Sequence, residues 1–215
     1  MLGLPQRTEY ERHIAKEKFY GKLEMSEAEK SLFVNEVQSI YWMNKLSPES
    51  MNLSISGGIE EIEVFRVSLK AKKLSRKVLT LIDEGIVHPI LFVLEFGGDH
   101  CLCMAYKERK ESGNVQVKEY YCTGWSPKET IDVEFMGLST GEIFERILKQ
   151  LSGDRLGSTA DSKEELGDLV SKDLEYQKDM KEISKLEKQM NNTLQPNKKL
   201  ELNRQIRKIK SKWGV

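Results

Sequence analysis

The sequence predicts an α+β domain, with a mainly antiparallel sheet and helices on one face, followed by a C-terminal antiparallel helical hairpin of coiled-coil type. Three observations predict it. Residues 90–94 (ILFVL) form an unbroken apolar run of strand length behind Pro89, the composition of a strand buried on both faces. Gly97-Gly98-Asp99 follows at once and tolerates positive φ, so the chain turns directly into a second strand over residues 101–106. After Ser152 charge rises and a narrow apolar stripe at three- and four-residue spacing takes over. The expected units are an α+β domain over 1–152, a linker over 153–162 and a helical hairpin over 163–215.

Taken in order, residues 1–22 mix charge with scattered anchors (Leu2, Leu4, Ile14, Phe19, Tyr20) and read as a partly helical arm laid over the domain. Ser26 with Glu29 three residues on is a capping box, in which hydroxyl and carboxylate satisfy two free amides at a helix start. The spacing of Phe33, Val37, Ile40, Tyr41 and Asn44 extends that helix to about Leu46, and Pro48 ends it. Residues 51–55 and 62–69 flank Gly57-Gly58 and predict a hairpin. Glu63, Phe65, Val67 and Leu69 share one side of its second strand.

Ser75 caps a short helix to Glu84 with Val78, Leu79 and Ile82 inward, and Gly85 stands where a terminator is expected. After the central hairpin, residues 112–114 (SGN) turn the chain into a strand over 115–122, and 130–135 read as a last short strand. Ser139 with Glu142 is a second capping box, opening a helix through Ile143, Phe144, Ile147, Leu148 and Leu151. Residues 152–162 are rich in glycine and serine and poor in apolar side chains, the composition of a linker.

Beyond the linker, Leu166, Leu169, Tyr176, Met180, Ile183 and Met190 form one seam. Residues 191–197 (NNTLQPN) break the helix, and Leu202, Ile206, Ile209 and Trp213 form a second. Each arm is too short and polar to be stable alone, so the seam must pair internally or with another chain. The expected oligomerisation seam is Leu169, Tyr176, Met180, Ile183, Met190, Leu202, Ile206, Ile209 and Trp213, the basis for expecting a homodimer through the hairpin.

Composition bounds the function. The 215 residues carry 34 Lys plus Arg and 34 Asp plus Glu, so no global field steers the protein to nucleic acid or membrane. No run approaches the roughly 18 apolar residues of a membrane span, and the polar N-terminus lacks a signal-peptide core, which predicts a cytoplasmic protein. Three cysteines without an export signal predict reduced thiols. Charge is uneven locally: from Lys198 onward seven basic residues face one acid, while the first arm begins acidic. One reading is attraction between the arms. The sharper one is contact with a nucleic-acid backbone through Lys199, Arg204, Arg207, Lys208, Lys210 and Lys212, with nothing present to read bases.

No catalytic constellation emerges. There is no phosphate-binding glycine loop or serine nucleophile elbow, and His13, His88 and His100 are scattered. Cys101 and Cys103 share a strand face, and the hairpin register could bring Cys122 near Cys101, with His100 on the opposite face, a weak match to the four converging ligands of zinc. Asp132 and Glu134 share a face of a short strand and suit solvent better than a cation. Glu95 closes the central strand where a restriction-type nuclease places a metal-binding carboxylate, but Gly97 stands where such enzymes place a lysine, and Glu61, Glu63 and Lys70 have the wrong spacing. Tyr106, Tyr120, Tyr121 and Trp125 with Lys107 and Arg109 have the composition of a stacking platform, although such residues more often pair across a sheet. No cofactor or metal is expected.

The strings LPQRTEYERHIAKEKFY, IYWMNKLSPESMNLSI, EIEVFRVSLKAKKL, ILFVLEF with AYKE, KEYYCTGW and KKLELNRQIRKIK resemble a bacterial domain-of-unknown-function family across nearly the whole chain. Its members tend to be encoded near helicases and DNA methyltransferases in restriction-like or antiphage loci. The resemblance therefore implies a defence role, with no catalytic residues to transfer. The expected function is a non-catalytic accessory or assembly subunit that binds a helicase or methyltransferase and touches DNA. The alternative is a divergent metal-dependent nuclease using Glu95.

Overall fold

The computed structural model describes residues 2–23, 25–111, 113–127, 133–157 and 164–214. They form two compact units, residues 1–162 and 163–215. The first is the expected α+β unit, built on a seven-stranded, mostly antiparallel sheet. Its strands are β1 (Glu9–His13), β2 (Val37–Leu46), β3 (Ile62–Leu69), β4 (Ile90–Phe96), β5 (Asp99–Arg109), β6 (Val115–Cys122) and β7 (Ser126–Pro127). The order is β1-β2-β3-β4-β5-β6, with β7 pairing the start of β5. All of residues 90–94 are buried, as a central strand requires.

The helices of this unit are α1 (Glu17–Lys22), α2 (Glu27–Glu36), α3 (Pro48–Met51), α4 (Arg76–Glu84) and α5 (Thr140–Ser152). Strand alternation divides the interior in two. Phe33 of α2 and Val78, Leu79 and Ile82 of α4 share one core with Phe65, Val67, Phe92, Leu94 and Cys103. The alternate residues Leu102, Met104 and Tyr121 are buried outside that core, on the strands that α5 contacts with its own buried Ile143, Ile147 and Leu148. Thus α2 and α4 cover one face and α5 the other, where the sequence predicts helices on one face alone.

Several local expectations are corrected. The capping box at Ser26 and Glu29 is present, but α2 stops at Glu36 and residues 37–46 are β2, pairing β1 and β3. The stretch is rich in branched and aromatic side chains, and places between two strands outweigh a helical spacing that also fits a bulged strand. The N-terminal arm supplies β1. Pro48 opens the one-turn helix α3 at its first position instead of ending a helix. No hairpin joins 51–55 to β3; Ser54 instead bridges Ser139, and β3 runs parallel to β4 through the α4 crossover. At α5 Ser139 accepts from the Glu142 amide as expected, while the Glu142 carboxylate accepts from Leu138 rather than Ser139. The strand expected over 130–135 falls partly outside the described residues; 133–135 have no regular structure.

The cysteines also differ from expectation. The β5–β6 register sets Cys103 opposite Cys122, and the two form a disulfide. Cys101 remains a thiol, buried, with its Sγ 3.9 Å from that of Cys103 and donating to the Thr123 carbonyl at 3.1 Å. Burial pushes this thiol above its usual range. The odd count of cysteines gave no sign that strand pairing would choose two of them.

The crossover is held by a buried polar cluster. Lys107, on β5, donates from Nζ to the carbonyls of Asp83 (3.2 Å), Ile86 (2.9 Å) and His88 (2.8 Å), and its ammonium lies 2.9 Å from the Asp83 carboxylate. Tyr120 of β6 donates to the other oxygen of Asp83 at 2.5 Å. Gly85 ends α4 with φ −76°, not in the left-handed geometry of a glycine cap, and Lys107 takes the carbonyl of Asp83 in the last turn together with those of Ile86 and His88 beyond it. Burial raises Asp83 and Tyr120 and lowers Lys107, which sets the cost of removing either partner. Lys107→Ala is expected to destabilise the fold by about 3–5 kcal/mol, as for other half-broken buried pairs, measured by urea unfolding. Asp83→Leu with Lys107→Met together is expected to cost less than the sum of the single changes.

Candidate functional site

The second unit is a helical hairpin of α6 (Leu166–Asn192) and α7 (Pro196–Trp213), joined by the turn at 193–195. The predicted seam closes between the two arms. Ile183, Leu186, Leu202 and Ile206 form its core, with Met180, Met190 and Ile209 packed against them. Tyr176 meets Trp213 edge to face at 5.2 Å between centroids. Leu186, which the seam reading passed over, is a core member, and Leu169 is half-buried outside this cluster. Tyr176, Met180, Met190, Ile209 and Trp213 remain only half-buried along the edge of the seam, where a second hairpin could pack without exchanging arms.

The six predicted contact residues divide into two groups. Lys210 lies 3.4 Å from Glu187, and Lys212 lies 2.7 Å from both Glu175 and Asp179, which also accepts from the Trp213 indole at 2.9 Å. Hydrogen bonds from Lys212 and Trp213 hold Asp179 below its usual range. These two lysines fasten the arms together. Lys199, Arg204, Arg207 and Lys208 are exposed, and among the described residues no acid lies within ion-pair distance of them. They are the portion of the predicted surface able to meet an external anion.

In the first unit, the residues of the nuclease reading do not converge. Glu95, near the end of β4, accepts from Ser68 Oγ at 3.2 Å and lies 4.0 Å from Arg66 Nε and 3.3 Å from His100 Nε2. Arg66 stacks over Tyr41 at 4.8 Å. Glu63 pairs with Ile90, five residues back along β4 and on the opposite face from Glu95, about 17 Å away along the strand. Lys70, just beyond β3, is exposed. Among the described residues no group of three or more His, Cys, Asp or Glu is placed so that it could hold a metal ion.

The remaining candidates scatter too. Asp132 lies outside the described residues, and Glu134 is exposed, 3.9 Å from Arg146. Tyr120, Tyr121 and Lys107 are buried, so they offer no platform to a base. Trp125 instead carries Lys72 over its ring at 5.8 Å.

A carboxylate pair that the sequence reading set aside does have unusual chemistry. Glu63 is buried, and burial first, then the hydrogen bond and charge of Glu61, push it up to about 8. Burial raises Glu61 as well, but hydrogen bonds from Lys45 and Glu63 and the charge of His88, 3.3 Å away, hold it below the usual range. The environment thus favours the protonated form of Glu63 and the ionised form of Glu61, with Lys45 and His88 beside the latter at the start of the parallel strands. Only the fold brings Lys45 and His88 to this pair, from other elements.

The folded chain keeps the Glu63 proton to about pH 8, whereas the ordinary value is 4.5. Its contribution to stability is complete below about pH 4.5 and is lost as pH rises through 8, at about 1.4 kcal/mol per pH unit. Glu63→Gln is expected to flatten that decline, read as a smaller shift of the urea midpoint between pH 5 and pH 8. For the hairpin, closure of the core seam within one chain predicts a monomer mass by light scattering at micromolar concentration; a dimer would show that the half-buried edge of the seam is shared with a second copy.

A model of the family described as "Domain of unknown function (DUF4391)" matches residues 2–212. No curated protein and no solved structure matches the chain. No helix among the described residues is long and apolar enough to cross a membrane.

Proposed function

The chain belongs to the DUF4391 family, and from that premise we propose that it is a non-catalytic accessory or assembly subunit of a bacterial restriction-like or antiphage defence system. In this reading it works in the cytoplasm, binds a helicase or DNA methyltransferase, and meets DNA through the hairpin. The observation that carries it is the basic outer surface of α7. The arms consume their own seam and two of the lysines, yet leave Lys199, Arg204, Arg207 and Lys208 without acidic partners among the described residues. Such a surface suits a phosphate backbone and carries no means of reading bases.

Support for a protein partner comes from the first unit. Ile55 and Leu138, on either side of the parallel Ser54–Ser139 bridge, are exposed, at 57% and 82%, and Met136 is exposed at 60%. Large apolar side chains left exposed on neighbouring segments are available to a protein contact. The partner's identity rests on the gene neighbourhood that the family resemblance implies. The nuclease alternative has no comparable support, because Glu95 faces Arg66, His100 and Ser68 rather than a second carboxylate.

A tagged copy expressed from its native locus is expected to retain a helicase or methyltransferase in near-equal amount; recovery of the chain alone from a low-salt lysate would overturn the reading. Arg204→Ala with Arg207→Ala is expected to weaken duplex DNA binding and to lower the salt dependence of log Kd by about two. Unchanged retention in a gel-shift assay at low salt would remove DNA from the proposal.

A further inference from the structure

The hairpin is electrically divided along its length. In its open half, residues 164–180 and 209–214 carry six acids and four basic residues, and ion pairs such as Lys172–Glu164 and Lys212–Glu175 use much of that charge. In the half next to the turn, residues 181–208 carry eight basic residues and three acids. Of those eight, only Lys185 has an acid within ion-pair distance among the described residues, Glu182 at 3.9 Å. The basic side chains also lie on both arms. Lys181, Lys185 and Lys188 recur at helical spacing on the side of α6 turned away from the seam residues Ile183, Leu186 and Met190.

Those lysines line an open groove of about 440 Å³ with Ser184, Gln189 and Asn192. Every lining residue offers a hydrogen-bond donor, and none is aromatic or apolar. At the turn, α7 begins at Pro196 with no side chain capping its free amides, so its positive end adds to the field of Lys198 and Lys199.

We propose that the turn-proximal half of the hairpin is a two-sided binding surface for the phosphate backbone of duplex nucleic acid, in which the Lys181, Lys185 and Lys188 face of α6 and the Arg204, Arg207 and Lys208 face of α7 act together. The inference rests on the DNA reading of α7 above and extends it to an arm that reading does not involve. Three observations select a duplex. The groove's donors fit phosphate oxygens. The aromatic pair that a single strand would need for stacking, Tyr176 and Trp213, sits in the acidic half with its rings against each other. A membrane-lying helix would need an apolar outer face, and α6 presents Ser184, Gln189 and Asn192 there.

The test is fluorescence anisotropy of a labelled 20-base-pair duplex with the full chain, from 50 to 200 mM salt. Lys181→Glu with Lys185→Glu and Lys188→Glu is expected to weaken binding at least about tenfold. The corresponding Gln triple is expected to lower the salt slope by about two to three, one for each lost contact. Lys178→Glu, on the same helix in the acidic half, is expected to leave affinity unchanged. Circular dichroism melting checks that each variant keeps its helices. If both α6 triples bind like wild type while Arg204→Ala with Arg207→Ala weakens binding, this inference falls and the α7 reading stands. If the wild-type chain does not bind the duplex, both fall. Preference for phosphatidylserine vesicles over the duplex would likewise overturn it.

Discussion

The buried contact among Asp83, Lys107 and Tyr120 is the constraint on which the α+β unit turns. A parallel pair such as β3 and β4 cannot close with a tight turn and needs a crossover, here α4. At and just beyond its end, the carbonyls of Asp83, Ile86 and His88 converge on one point. Lys107 reaches across from β5 to supply donors, Asp83 neutralises it, and Tyr120 satisfies the carboxylate from β6. One cluster therefore ties the crossover to the hairpin and to the sheet's next strand. Because each member is buried, the loss of any one leaves a charge or a donor stranded in a low-dielectric interior.

Charge in the second unit follows a different logic. Its ion pairs are mostly exposed and individually weak, so the apolar seam does most of the holding. The pairs instead decide where charge is left over. Lys210 and Lys212 meet acids from α6 and add little to any outward field, while the basic residues nearer the turn have few acids within reach. A chain with no net charge thereby presents a concentrated positive region, and a global charge count is blind to it.

The acids of the first unit show how far position outweighs residue type. Glu63 and Glu95 lie on neighbouring parallel strands, and both are carboxylates of the kind that bind metals. Strand alternation puts them on opposite faces and near opposite ends. Glu63 is pushed up by burial and by its neighbour Glu61, whereas Glu95 is set among Arg66, His100 and Ser68. Neither arrangement gathers ligands for a divalent cation.

The sequence by itself determined the features that depend on near neighbours. The α+β class, the central strand and its Gly97-Gly98 turn, the capping residues of α2 and α5, and the two arms of the hairpin all follow from runs, periodicities and caps within a few residues. What only the tertiary structure decided needed partners far along the chain. Residues 37–46 satisfy both a helical and an extended pattern, and became a strand because β1 and β3 flank them. Cys103 chose Cys122 through the β5–β6 register, and Lys107 found Asp83 through the α4 crossover. The physical reason is common to all three: burial and long-range pairing contribute more free energy than local preference, and neither can be read from a window of sequence.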